Sequence, residues 1–501
     1  MGKFSRREVF GIGVAGLASI YLPSLGAASQ QGSRKRPRNV IFCVSDGMSA
    51  GVPAMLDQLL ATVHGRSSFM RQLAAYRETV HAVQSTCSLS SLVTDSSAAS
   101  SAWGSGRKIV NGQINVFPDG TRLIPLYELL KDRAQLKTGL VTTATITHAT
   151  PAGFAISHPT RDEEAAIAEK YLELGVDVLF GGGDRFFSAS QRKDGRDLYA
   201  DFERAGYRVV KDRPGMRGLR VGSRALGIFS SSHVPYEVDR LNQPSLLRSV
   251  PSLKEMALKA IELLSDSPNG FILQVEGARI DHAAHGNDPS GAIYDQGAFD
   301  DAVAAIVEWA RERGDTLVIV TSDHGNSNPG LMGAGDEYFD STTGLERLAK
   351  ARASFPTLLE LMGPKPSADR IREVVRDRLD IGLEAEEAAF VRRALDQQGE
   401  LRAIDLYKSA SSAMAMVLGN HYHIGWSGPS HSSDWVPLMA IGPGSASFGG
   451  FLENNDVFDR LLKLYGVRFQ NPPQMSRDEM LRHLGKQRQA LRRAVSEHWI
   501  V

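Results

Sequence analysis

Six short runs are β-rich and mostly apolar, without alternation in polarity: NVIFCVS (39–45), TGLVTTATI (138–146), VDVLFGG (176–182), GFILQV (270–275), TLVIVTS (316–322) and VPLMAIG (436–442). A strand with one wetted face alternates polar with apolar residues. A strand covered on both faces does not, and that is the habit of parallel sheets. Between the runs, IPLYELLKDRAQ and GAFDDAVAAIVEWARERG repeat apolar residues at helical spacing. The alternation predicts an α/β fold, doubly wound, with a mostly parallel central sheet flanked by helices. In such folds ligands gather just past the carboxyl ends of the strands.

Polar residues crowd those ends. Asp46 and Gly47 follow the first run, His148 and Thr150 the second, Glu276 the fourth, and Asp323 with His324 the fifth. One acid after a strand is an ordinary helix cap. Four such clusters at one edge exceed what capping needs. IDHAAH sets Asp281 and His285 four apart, on one face of a helical turn, with His282 between them. A carboxylate and an imidazole at that spacing suit zinc, and His431 precedes a further strand in SHSSDWVP. The chain has only two cysteines, Cys43 and Cys87, so any metal must take oxygen and nitrogen ligands. Whether those two pair is not decided by sequence. Lys+Arg and Asp+Glu both number 57, so no charge excess argues for nucleic acid or an acidic surface.

TDSSAASSAW (94–103) holds no large side chain between Asp95 and Trp103. It reads either as a flexible linker or as a helix so closely packed that only small residues fit.

The organisation follows. Lys3, Arg6 and Arg7 precede an apolar stretch from Val9 to Leu25 and then small residues, the layout of a signal peptide over 1–28. A membrane anchor is the alternative, weakened by Pro23 and three glycines. SRREVF resembles the twin-arginine export signal, so the expected location is the periplasm or the medium, and a general secretion signal is the other route. Residues 29–38 read as a basic linker, 39–328 as the α/β core, and 329–423 as a charged helical, cap-like insertion. Within it SADRIREVVRDRL carries Ile371, Val374, Val375 and Leu379 on one face, with Ser367 as N-cap. Residues 424–470 resume the core, and 471–501 hold a final basic amphipathic helix.

Taken together and in order, IFCVSDGMS, VTDSSAASSAWGSGRKIVNGQI, THATPAGFAISHPTR, VEGARIDHAAHGND, TSDHGN and HSSDWVPLMAIGPG resemble the alkaline phosphatases. The resemblance implies a hydrolase of small phosphate monoesters, with two zinc ions, one magnesium and a phosphoserine intermediate. It implies Ser96 as nucleophile. Asp281, His285 and His431 would hold one zinc. Asp46, Asp323, His324 and the Ser96 oxygen would hold the second, and Asp46, Thr150 and Glu276 the magnesium. Arg161 would clamp phosphate oxygens with Asp95 steadying it, and His148 and His282 would support the site. Some bacterial members carry Asp and Lys at those last two positions. His421 and His423 are alternatives to His431. The 107 positions from His324 to His431 exceed the separation in simpler members. Some relatives use such an insertion against a second subunit, so a homodimer is one implied assembly. No transmembrane anchor is expected after removal of the leader. A sulfatase is a rival, because SHPTR (157–161) matches its nucleophile motif and makes Ser157 a decoy. A phosphodiesterase of the same superfamily and a non-catalytic envelope protein are the others.

Overall fold

The computed structural model describes residues 35–396 and 410–486. Ten strands form one sheet: β1 (Asn39–Ser45), β2 (Val80–Ser85), β3 (Lys137–Thr145), β4 (Val178–Gly182), β5 (Arg208–Val210), β6 (Ala225–Ile228), β7 (Phe271–Gly277), β8 (Thr316–Thr321), β9 (Val436–Ile441) and β10 (Gly450–Glu453). Their order is β10-β2-β9-β8-β1-β7-β3-β4-β6-β5. All neighbours run parallel except at β9, which is antiparallel to both β8 and β2. All six apolar runs are strands. The period of the pattern said nothing about direction, so the reversal of β9 is new information. β2 was not among the six, because one face of its first half is wet.

Successive side chains of a strand point to opposite faces. In β1, Ile41 and Cys43 enter one apolar cluster, with Val52, Met256 and Phe299. Val40, Phe42 and Val44 enter the other, with Trp103, Tyr127 and Phe154. Helices Gly51–His64 and Leu253–Leu264 lie over the first face, and Leu126–Arg133 and Asp456–Leu464 over the second. Both cysteines are free, and burial pushes the Cys43 thiol up, out of the reactive range.

Residues 329–423 contain helices Ser341–Leu348, Phe355–Met362, Ala368–Leu379, Ala385–Asp396 and Ala410–Tyr422. Their base is a short antiparallel pair, Gly330 with Gly425 and Leu331 with Ile424. Ser367 caps Ala368–Leu379 by accepting from Arg370 N (3.1 Å), and Ile371, Val374, Val375 and Leu379 are buried. Two core carboxylates seat the insertion. Asp239 accepts from Ser354 N and Oγ (2.9 and 2.6 Å), and Asp288 accepts from Phe355 N (2.6 Å). Residues 477–486 are helical, and the rest of the expected final helix lies outside the described residues, as does the leader. No helix among the described residues is long and apolar enough to cross a membrane.

Candidate active site

The small-residue stretch is α1 (Ser96–Ser105), buried along its whole length. Asp95 is its N-cap, accepting from Ala98 N at 2.9 Å. α1 crosses α2 (Ala149–Ala155) at backbone contact. A Cβ on Gly104 would sit 1.9 Å from Gly153 O, and one on Gly153 would sit 2.4 Å from Ser100 Oγ. Ser100 Oγ also donates to Thr150 O at 2.6 Å. Larger side chains would part these helices, and that is why the stretch contains so few.

α1 brings Ser96 to the carboxyl ends of the central strands, and its Oγ lies 3.2 Å from His324 Nε2. Asp46 follows β1, Glu276 lies in β7, and Asp323 and His324 follow β8. α3 (Arg279–His285) carries Asp281, His282 and His285. His431 precedes β9. Because that strand is reversed, its amino end shares an edge with the others' carboxyl ends.

Three groups of metal-ligating atoms converge: Asp281, His285 and His431; Asp46, Asp323 and His324; and Asp46, His148 and Glu276. In the first, His285 Nε2 is 3.4 Å and His431 Nε2 3.5 Å from Asp281 carboxylate oxygens, and the two nitrogens are 3.0 Å apart. His285 Nδ1 donates to Pro429 O and His431 Nδ1 to Thr94 O, both at 2.8 Å. With the protons held at Nδ1, both Nε2 lone pairs face one point, the arrangement of metal-ligating histidines. In the second group His324 Nε2 is 3.1 Å from Asp323 Oδ2 and 3.7 Å from Asp46 Oδ1. His421, by contrast, meets Glu387 in the insertion (3.1 Å), and the backbone O of His423 accepts from Met332 N.

Electrostatics demand a cation here. Both Asp46 oxygens, Glu276 Oε1 and Thr150 Oγ1 are buried with no hydrogen-bond partner among the described residues. Burial raises the Asp46 carboxyl well above its usual range, and the charges of Asp323, Asp281 and Glu276 add to this. Burial pushes Glu276 up to about 7. Asp281 stays well below the usual range despite burial, because His285 and His431 adjoin it. His285 rises to about 9, the Asp281 charge outweighing burial. Acceptor-rich and donor-poor, these groups fit divalent cations.

Arg161 lies beside these groups. Its Nη1 donates to Asp95 Oδ2 (3.2 Å) and its Nη2 to His148 Nε2 (3.1 Å). Gly112 N and Ser97 Oγ hold the same Asp95 oxygen at 2.8 and 2.7 Å. Ser157 is placed elsewhere, with its Oγ donating to Leu123 O at 2.6 Å. Two further residues border the site, His233 from outside the motifs and Arg279 from within VEGARIDHAAHGND. His233 packs against His282 (ring centroids 4.4 Å), and Arg279 Nη1 donates to His282 Nδ1 (2.8 Å). His233 sits in SSSHVP, which has no ligand spacing to betray it.

The chain matches the family model described as alkaline phosphatase over residues 37–467. It is 30% identical to Alkaline phosphatase 3 of Bacillus subtilis over 482 residues, covering 92% of this chain and 98% of that protein. It is 32% identical to Streptomycin-6-phosphate phosphatase of Streptomyces griseus over 369 residues, covering 65% and 82%. The crystal structure of Thermus thermophilus alkaline phosphatase matches with a TM-score of 0.86 at 38% identity, covering 94% of this chain and 100% of that one.

Proposed function

Since the chain belongs to the alkaline phosphatase family and is a phosphomonoester hydrolase, we propose that it works through a phosphoserine on Ser96, at a site for two zinc ions and one magnesium. The observation that carries this is the convergence of two His-containing ligand groups beside the Ser96 hydroxyl. Asp281, His285 and His431 would hold one zinc, and Asp46, Asp323 and His324 the other. Asp46, Thr150 and Glu276 offer hard oxygens for magnesium. When bound, the metals would supply Lewis-acid stabilisation of the entering and leaving oxygens.

The chain's own residues do the rest. Ser96 Oγ attacks phosphorus in line; the Oγ–P bond forms, the bond to the alcohol oxygen breaks, and the alcohol departs with a proton. Water then attacks the phosphoserine, releasing inorganic phosphate and restoring the Ser96 hydroxyl. With Asp95 spent on Ala98 N, the Ser96 amide at the positive end of α1 is available to phosphoryl oxygens. Arg161, held by Asp95 and His148, offers its planar fork to two of them. His148 and His282 are kept neutral, chiefly by burial and then by Arg161 and Arg279 respectively, so neither ring adds a positive charge beside Arg161.

Elemental analysis of active protein should find about two zinc and one magnesium per chain, as the three ligand groups imply. Iron or calcium in their place would remove the assignment. Export by the twin-arginine route rests on Arg6 and Arg7 ahead of the apolar stretch. Changing both to Lys should strand the precursor in the cytoplasm, as fractionation would show. Undiminished export would point to the general secretion route.

A further inference from the structure

His233 stands beside His282 and His148 with no part in the reaction above, yet its position is built. Gly183 N and Asp184 N both donate to Ser230 O at 3.0 Å, and Val234 N donates to Thr143 O at 3.0 Å. A Cβ on Gly182 would lie 2.0 Å from Ser232 O, so only glycine lets β4 run this close beneath the loop. The loop therefore lays His233 against His282 and 5.9 Å from the His148 ring.

The protons on these rings follow from their partners. Thr145 N lies 3.1 Å from His233 Nδ1, and a backbone amide only donates. Nδ1 is thus the acceptor, and the neutral ring carries its proton on Nε2. Arg279 Nη1 stands 2.8 Å from His282 Nδ1, and a guanidinium only donates, so His282 is also an Nε2–H. Arg279 is itself steadied, 3.6 Å over the Tyr236 ring. Two adjacent, half-buried rings therefore each present an N–H, and neither can accept from the other. Both require an acceptor from outside the pair. The surroundings are cationic: besides burial, it is Arg279 and Arg185 that hold His233 down to about 4. Arg161 borders the cluster through its Nη2, on the side away from Asp95.

We infer that His233 and His282 form a subsite for a second anionic oxygen group of the substrate, beside the Nη2 edge of Arg161. The favoured class is terminal phosphates, joined by ester or anhydride, whose leaving group itself bears a phosphate. The inference rests on the phosphatase reading for where the transferred phosphoryl sits. Two N–H donors whose Nδ1 atoms are already taken by donors of the chain suit an anion, which only accepts.

Calorimetry on the metal-loaded protein in a Ser96→Ala background, with orthophosphate and pyrophosphate as probes, tests this apart from turnover. With His233 in place it should bind pyrophosphate about tenfold more tightly than orthophosphate, the scale of a charge-assisted hydrogen bond. His233→Ala should bring that ratio close to one while leaving orthophosphate affinity within about twofold. His233→Gln, whose amide Nε2 falls near the imidazole Nε2, should restore most of it. In turnover, His233→Ala should raise KM for adenosine 5′-diphosphate about tenfold and leave kcat and p-nitrophenyl phosphate unaffected. An unchanged ratio, or an equal loss for both probes, overturns the subsite. A preserved ratio, with a wild-type protein that hydrolyses no phosphomonoester, would instead overturn the phosphatase reading and leave the subsite standing.

Discussion

A Ser96→Ala protein is expected to lose phosphomonoesterase turnover by roughly three orders of magnitude or more, since removing a covalent nucleophile leaves only binding and electrostatics. The substitution deletes one oxygen at the first position of α1. It leaves the Asp95 cap on Ala98 N intact, so the helix and Arg161 keep their places. Alanine adds no bulk against α2, and the fold should melt as the wild type does. Ser157→Ala removes a hydrogen bond to Leu123 O at the start of SHPTR and should leave turnover within a few fold. Acid quenching during turnover, followed by peptide mapping, should find phosphate on Ser96. Phosphate on another residue, or a Ser96→Ala enzyme of near-normal rate, would end the assignment. So would Ser157 recovered as formylglycine with sulfate esters the faster substrates.

The second large effect is that stripping the metals should cost the protein more stability the higher the pH. In the stripped protein the folded Glu276 titrates near 7 rather than 4.5, and Asp46 is shifted the same way. A carboxyl raised in the folded state is deprotonated first in the unfolded chain. The contribution of these carboxyls to stability therefore falls as pH rises from about 4.5 to 7, by roughly 3 kcal/mol for Glu276 alone, while the lowered His233, His148 and His282 act in the opposite direction below 6.5 with or without metal. His285, raised to about 9 by Asp281, adds stability that is complete below 6.5 and lost as pH climbs to 9. The lowered carboxyls, Asp281 and Asp323, act only below about 3.8, outside this window. With metals bound the same ligands must be deprotonated, so stability should rise from pH 5 to 7.5. Thermal melts at pH 5, 7 and 9, with and without chelator, should show the gap between loaded and stripped protein widening as pH rises. Parallel slopes would mean that the buried carboxylates do not meet the cations.

Much of this was legible in the residues, for definable reasons. β1, β3, β7 and β8 are buried on both faces, and their continuous apolar runs announce it. Acids set after those runs could be placed at one edge because parallel strands share a carboxyl end. β2 escaped notice because Val80 and Ala82 alternate with exposed neighbours. β5 and β6, at three and four residues, are too short for any period to register. The reversal of β9 depends on tertiary packing, which a local pattern does not contain. His233 was missed for a different reason. Its work is to stand beside His282, a residue 49 positions away by count from 233 to 282, and nothing in SSSHVP reports that neighbour. Ser367 and its helix were legible because a cap and an amphipathic face are local properties.

The reversed strand also sets an order of assembly. β2 joins the sheet between β9 and β10, so its inner neighbour is among the last strands the ribosome delivers. Thr86, just past β2, donates to the carbonyl of Asp434, 348 positions further on. Seven parallel strands, from β5 across to β8, are complete once residue 321 has emerged. The segment leading from β2 into the Ser96 helix must wait, with unpaired backbone groups open to another chain. A nascent chain stalled or cleaved before residue 431 would hold Asp46, Asp323 and His324 but lack His431. Its hydrolase chemistry would stay off until the final strands close the sheet.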